Sequence, residues 1–162
     1  MAERLRAAGH RVFTPTLTGL GERRHLLSAA VNLDTHILDV VNVLEAEELD
    51  DVVLVGHSYA GPVITGVADR IPVRLRQLVY LDAAIIPNGE SWSDQHPKDV
   101  VEARIKAAQA SKGVSLPVPK SSGFGVVSEA DQEWVDRRLT PHPFGTYQQK
   151  LKLDWPFGNR VK

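Results

Sequence analysis

The first half of the chain alternates between two patterns of apolar residues, and each pattern predicts one kind of element. Residues 52–55 and 75–81 are apolar-rich runs, and the first is continuous, as is typical of a parallel strand covered on both faces. Between residues 37 and 44, apolar side chains recur at helical spacing, which predicts a helix capped by either Asn32 or Asp34. A helix between two strands is therefore expected near the middle of the chain.

Three shorter segments extend this order. Strong helix formers at residues 2–8, ended by Gly9, predict a first helix, and residues 12–14 predict a short strand. Residues 62–70 predict a helix whose proline lies in the first turn, where its missing N–H is tolerated. Strand and helix thus alternate up to residue 82, which predicts an α/β fold with a parallel sheet and right-handed crossovers.

The pattern changes after residue 87. Residues 99–110 and 129–139 are predicted helices, and a segment rich in proline, serine and glycine separates them. No further apolar strand is evident in this part of the sequence. We therefore divide the chain into a sheet-containing core at residues 1–87 and a mostly helical cap or lid at residues 88–162, packed on the rim of the sheet.

The first candidate for chemistry is Ser58, which follows the apolar run in the stretch VVLVGHSYAGP. The residues GHSYA nearly match the G-x-S-x-G nucleophile elbow, in which a strained strand-to-helix turn presents a serine hydroxyl. Small residues at Gly56 and Ala60 would let the strand and the helix approach, and the backbone amide of Tyr59 would be one of two oxyanion donors. A plain tight connection between two elements is the alternative interpretation.

Three motifs occur in an order and spacing that resemble the α/β-hydrolase superfamily: PTLTGLGERRH, VVLVGHSYAG and LVYLDAAIIP. The sequence is most similar to small bacterial esterase-like members related to methyl-salicylate esterases and hydroxynitrile lyases. The stretches GFGV and RLTPHPF resemble the cap of that group. The resemblance implies a partial α/β-hydrolase fold, with a parallel sheet flanked by helices. It also implies a serine hydrolase that acts on a carboxylic ester through an acyl-enzyme.

Asp82 is the candidate for the acid that orients the catalytic histidine. It ends the strand that follows the elbow, and haloalkane dehalogenases of the same fold carry their acid in a similar Y-x-[DE]-A context. Many esterases instead place the acid one strand later. A role for Asp82 in capping the following turn is the alternative.

The catalytic histidine is not evident. The resemblance implies a base in a Gly-His context after the last strand and a His-Gly oxyanion loop before the first helix, and the sequence contains neither. We therefore expect a chain that is truncated at both ends and weakly active or inactive by itself. If it is active, His25 and His142 are the first histidines to test as bases. A non-catalytic shortened homologue or fragment that acts as a binding module is the alternative function.

The composition of the chain limits the kinds of partner and chemical site that can be expected. The net charge of −1 gives no electrostatic indication of nucleic acid or an anionic membrane as partner. The chain has no cysteine, which excludes disulfides, thiolate metal sites and a cysteine nucleophile. His25 and His36 lack a third metal ligand at a recognisable spacing, so neither a metal nor another cofactor is expected. The expected partner is a small-molecule ester.

Two further expectations concern location and assembly. The sequence has no membrane-spanning run and no signal-peptide pattern, which favours a cytoplasmic protein. The resemblance implies that one strand of the sheet lacks its usual neighbour. An unpaired strand edge can pair with another chain, so the protein could form an oligomer through this edge.

Overall fold

The computed structural model of the chain describes residues 1–159 and residue 161. In these residues the α-helices are α1 (Ala2–Ala7), α2 (Leu33–Ala46), α3 (Ala60–Arg70), α4 (Lys98–Ala108), α5 (Glu129–Asp136) and α6 (Gly145–Gln148). The strands are β1 (Val52–Ser58), β2 (Leu75–Ala83), β3 (Ser115–Leu116) and β4 (His142–Pro143). Short 3₁₀ turns lie at Gly21–Leu26, Pro72–Arg74, Ser93–Gln95, Gln109–Ser111 and Ser121–Phe124. None of the described helices is both long enough and apolar enough to span a bilayer.

The strands β1 and β2 pair in parallel and are connected through α3, which confirms the α/β fold class with a parallel sheet. The prediction of a strand at residues 12–14 is wrong, because this segment has no ladder partner among the described residues and has no regular secondary structure. Local β propensity alone does not make a strand, since a strand exists only where a neighbour accepts its backbone hydrogen bonds. In the described part of the chain the parallel sheet therefore has two strands.

The core lies between this sheet and helices α2 and α3. The side chains of Ile37, Val63 and Val67 are at most 2% exposed, and each such burial contributes about 1.5–3 kcal/mol. The N-terminus of α2 is capped by Asn32, whose side chain accepts from the Thr35 backbone N–H. Of the two N-cap candidates in the sequence, Asn32 and Asp34, it is thus Asn32 that caps α2 in the structure.

One face of β1 is open. Val53 is 38% and Val55 43% exposed, whereas the alternate residues Val52 and Leu54 pack against the core. The prediction that this strand is covered on both faces is therefore wrong for the described residues. Its continuous apolar run resembles a fully buried strand, but a run of this kind does not report whether a second layer is present.

The second half of the chain contains the predicted helices in slightly shorter form, as α4 and α5. The strands β3 and β4 form an antiparallel ladder that the sequence did not predict. Leu151 of this half is 1% exposed and packs in the hydrophobic core, and its backbone is bonded to Gly89 and Glu90 at the start of the same half. The division at residue 87 into core and cap stays a prediction, and residues 160 and 162 of the proposed cap lie outside the described residues.

Candidate active site

Ser58 occupies a strand-to-helix turn with a left-handed backbone. It is the last residue of β1, its φ angle is 52°, and α3 begins two residues later. This conformation costs a non-glycine residue about 1–3 kcal/mol and persists only where surrounding structure enforces it. The side chain is exposed. The turn and its strain match the expectation from the sequence, whereas the catalytic role of Ser58 stays a prediction.

Close packing around two glycines enforces this turn. A Cβ atom on Gly56 would lie 2.8 Å from the carbonyl oxygen of Ala60, which agrees with the small residue expected there. The tighter approach is at Gly61, where a Cβ atom would lie 1.9 Å from the carbonyl oxygen of Ala84. Sequence reasoning missed this contact between α3 and the end of β2. The last alanine and the following glycine of the motif were the available signal.

Asp82 lies at the carboxyl end of the neighbouring strand and is also left-handed, with a φ angle of 44°. In the ladder, His57 pairs with Leu81 and Ser58 pairs with Ala83, so Asp82 is one extra residue in β2. The Ser58 carbonyl accepts from the Ala84 N–H at 3.1 Å. Such irregularities re-aim side chains at sheet ends, and here one lies directly beside the serine turn. The role of Asp82 as the acid stays a prediction.

The Tyr59 side chain is fixed by a buried histidine. Its hydroxyl lies 3.0 Å from Nδ1 of His36, and Nε2 of the same ring lies 2.9 Å from the carbonyl oxygen of Thr18. Because a carbonyl only accepts, Nε2 carries the hydrogen, and Nδ1 accepts from the Tyr59 hydroxyl. Burial lowers the pKa of His36 and raises the pKa of Tyr59, so that both groups are neutral at neutral pH.

The loop that contains Thr18 is itself held on α2. The carboxylate of Asp39 accepts from the Thr18 N–H at 2.6 Å and from the Thr18 hydroxyl at 2.8 Å. Arg23 donates to the same carboxylate at 2.9 Å and to the carbonyl oxygen of Thr16. The Asp39 side chain is only 9% exposed, so these charge-assisted bonds give the loop a fixed position.

An aromatic cluster surrounds the Tyr59 ring; its members are His36, Tyr59, Trp92, His96, His142 and Tyr147. From the Tyr59 ring centroid, the ring centroids of His142 and Trp92 lie at 4.9 and 5.9 Å, both edge to face. Phe124 and Trp134, two other aromatic residues in the second half of the chain, lie outside this cluster and are 65% and 53% exposed.

Neither of the two histidines first considered as bases is hydrogen-bonded to Ser58 or Asp82 within the described residues. His142 donates from Nε2 to the Thr146 hydroxyl at 2.9 Å, because that hydroxyl already donates to the carbonyl oxygen of Pro143. Burial, followed by the neighbouring His36, lowers the pKa of His142 to about 4. His25 is exposed and its ring contacts the carbonyl oxygen of Glu22. The structure thus assigns no base to the serine.

Two N–H groups near the cluster are buried without a hydrogen-bond partner among the described residues: Nε1 of Trp92 and Nη1 of Arg104. The Arg104 guanidinium lies 5.5 Å from the ring centroid of Tyr147, which itself packs on Trp92. In the same described residues no group of three histidine or acidic side chains could hold a metal ion.

A model of the alpha/beta hydrolase family matches residues 2–160. The chain belongs to the alpha/beta hydrolase family. This result confirms the resemblance carried by the three sequence motifs.

The chain also resembles individual members of the family. It is 49% identical over 161 residues to a "Carbendazim hydrolyzing esterase" of Nocardioides sp. (strain SG-4G), covering 94% of this chain and 66% of that protein. An extracellular alpha/beta-hydrolase from a Paenibacillus species, described as sharing structural and functional homology with tobacco Salicylic Acid Binding Protein 2, has a TM-score of 0.84 at 27% identity. That alignment covers 94% of this chain and 64% of the other.

A methylesterase from Arabidopsis, at 22% identity and a TM-score of 0.65, shows the fold alone; the alignment covers 98% of this chain and 66% of that one. The chain thus spans slightly less than two thirds of the length of these relatives.

Proposed function

We propose that the chain is an esterase-type serine hydrolase whose nucleophile is Ser58 and whose substrate is a small carboxylic ester. The observation that carries the proposal is the exposed serine held in a left-handed turn between β1 and α3. In a family of hydrolases, backbone strain at an exposed serine beside a helix N-terminus favours a nucleophile over a plain connection. Similarity to the carbendazim-hydrolysing esterase supports the esterase class.

Each proposed residue has one role in the reaction. The Ser58 Oγ attacks the ester carbonyl carbon while its proton passes to a base, and the Tyr59 backbone N–H donates to the oxyanion that forms. The tetrahedral intermediate expels the alcohol, which takes the proton from the base, and water then hydrolyses the acyl-enzyme. Asp82 would orient the histidine that acts as the base.

We further propose that this chain by itself is weakly active or inactive. Among the described residues, no histidine is hydrogen-bonded to Ser58 or Asp82, and a serine hydroxyl without a base is a poor nucleophile. The same observation favours the alternative function, a non-catalytic homologue that acts as a binding module. A cytoplasmic location stays a prediction.

The test compares the wild-type chain with Ser58→Ala and with Ser122→Ala, which removes an exposed serine outside the elbow. Each protein is incubated with a fluorophosphonate probe, the labelled residue is mapped by mass spectrometry, and hydrolysis of p-nitrophenyl acetate is followed. We expect slow labelling at Ser58 that Ser58→Ala abolishes and Ser122→Ala retains, with ester turnover little above that of Ser58→Ala. Absence of labelling at Ser58 would favour the binding module. Rapid ester turnover would refute the proposal that this chain lacks a base for Ser58.

A further inference from the structure

The residue after the proposed nucleophile is anchored by its side chain as well as by its backbone. We propose that His36 is a positioning residue, which fixes the backbone amide of Tyr59 by accepting a hydrogen bond from the Tyr59 hydroxyl. This inference rests on the proposed function, because that amide is the proposed oxyanion donor. It assigns to α2, distant in sequence from the elbow, control over the geometry of the serine turn.

Besides Nδ1 of His36, the Thr146 side chain is a further hydrogen-bonding group beside the hydroxyl of Tyr59. Tyr59 begins α3 at the N-cap position, makes no side-chain capping bond, and points its ring into the aromatic cluster. The ring is bounded by His142 and Tyr147, with centroids 4.9 and 5.6 Å away. A buried hydroxyl without a partner costs about 1–3 kcal/mol, so the bond to Nδ1 of His36 fixes the orientation of the whole side chain.

His36 can serve as the acceptor because its other nitrogen is committed elsewhere. The side chain is fully buried, and its Nε2–H donates to the carbonyl oxygen of Thr18. Thr18 is in turn held by two hydrogen bonds to Asp39, which lies three residues after His36 on the same helix. The opposite tautomer would place the Nε2 lone pair against the Thr18 carbonyl oxygen, which can only accept, and would turn the Tyr59 hydroxyl from donor into acceptor. One tautomer is therefore enforced, and it is the one that accepts from Tyr59.

A fixed side chain at residue 59 matters because the oxyanion donor is the backbone N–H of the same residue. A displacement of about 1 Å in a catalytic group can reduce the rate roughly 100-fold, and complete loss of one oxyanion donor reduces it about 10²–10³-fold. A variant that loosens Tyr59 but keeps its backbone amide should therefore reduce the rate by less than complete loss of the donor would. We expect a reduction of about 10- to 100-fold in the reactivity of Ser58.

Three variants separate the two hydrogen bonds of His36. His36→Asn places a carbonyl oxygen near the position of Nδ1 and so keeps an acceptor for Tyr59. His36→Gln places an N–H donor near the position of Nε2 and so keeps the bond to Thr18 while losing the acceptor. Tyr59→Phe removes the donor. The matched control is Tyr80→Phe, which deletes another tyrosine hydroxyl whose 2.7 Å bond to Thr65 lies outside the serine turn.

The first measurement is the second-order rate constant for fluorophosphonate labelling of Ser58 at equal folded concentration. Tyr59→Phe and His36→Gln should each reduce it about 10- to 100-fold, and the double variant should be no slower than either single variant. His36→Asn should recover most of the rate, and Tyr80→Phe should match the wild type. Equal losses in His36→Asn and His36→Gln, or additive losses in the double variant, would overturn the proposal.

The second measurement does not depend on catalysis. The ¹H–¹⁵N heteronuclear NOE of the residue 59 amide is recorded for each protein and compared with that of Val63 in the same helix. Tyr59→Phe and His36→Gln should lower the value at residue 59 while leaving Val63 unchanged, and His36→Asn should preserve both. A residue 59 amide as ordered in Tyr59→Phe as in the wild type would refute positioning by His36. Absence of Ser58 labelling in the wild type would instead refute the proposed function.

Discussion

Burial of His142 makes the stability of the fold depend on pH. Its pKa is lowered from 6.5 to about 4, first by burial and then by His36. The unfolded chain therefore binds more protons than the folded chain between these two values, and the free energy of unfolding falls as pH decreases through this range. Above about pH 6.5 His142 is neutral in both states and its contribution to the free energy of unfolding no longer changes with pH. At pH 5 we expect the free energy of unfolding to be lower by about 2 kcal/mol because of His142.

The assay is urea unfolding followed by circular dichroism at pH 7.5 and pH 5.0 for the wild type and for His142→Gln. Glutamine keeps an N–H donor for the Thr146 hydroxyl but does not titrate. Carboxylates titrate in both proteins, so the difference between their pH dependences reports His142 together with its interaction with the neighbouring His36.

We expect the loss of unfolding free energy between the two pH values to be smaller in His142→Gln by about 2 kcal/mol. Tyr147→Phe, a substitution in the same cluster that removes no group titrating in this range, should retain the wild-type loss. Identical losses in the wild type and His142→Gln would refute the reasoning.

Three other predictions concern the serine turn and the open sheet face. Gly61→Ala should destabilise the protein by about 1–3 kcal/mol in urea unfolding, because its Cβ would overlap the Ala84 carbonyl oxygen; retention of wild-type stability would contradict this close approach. Ser58→Gly should raise the unfolding free energy by about 1 kcal/mol by removing left-handed strain, whereas Ser58→Ala should not, and equal stability of the two variants would argue against strain. In light scattering the wild type should self-associate at high concentration through the open face of β1, and Val55→Lys should reduce this association. Val73→Lys, at a surface residue outside the sheet, should leave it unchanged, and equal association of all three proteins would exclude the open face as the contact surface.

Elements with a strong local signal could be predicted from the sequence. The helix α2 combines an apolar stripe with Asn32 at its N-cap, and the serine turn combines a strand, a small residue and a helix start. In both cases the information lies within one short stretch of consecutive residues. The segment at residues 12–14 has the composition of a strand, but its state depends on a neighbour, and no local pattern reports whether that neighbour is present.

The residues that hold the candidate site in place could not be predicted either, because they depend on contacts between residues that are distant in the sequence. The bond between His36 and Tyr59 joins residues 23 positions apart, and its direction depends on a third residue, Thr18. Nothing in the helical pattern of α2 distinguishes a histidine that faces the core from one on the surface. The extra residue at Asp82 likewise appears only when β2 is aligned with β1.

The two candidate catalytic side chains share a backbone feature that links the fold to its proposed chemistry. Ser58 and Asp82 are each left-handed, as the last residue of β1 and the penultimate residue of β2. The carbonyl oxygen of Ser58 accepts from the N–H of Ala84, two residues after Asp82. Together these conformations cost about 2–6 kcal/mol, which is a large fraction of the stability of a small domain. Such strain persists only where packing over-determines it, and here the contact between Gly61 and Ala84 ties the helix start to the end of β2. A fold without a function at this edge would gain stability from glycine at either position. The presence of serine, rather than glycine, at the strained end of β1 therefore supports the proposal of a reactive site at this edge of the sheet.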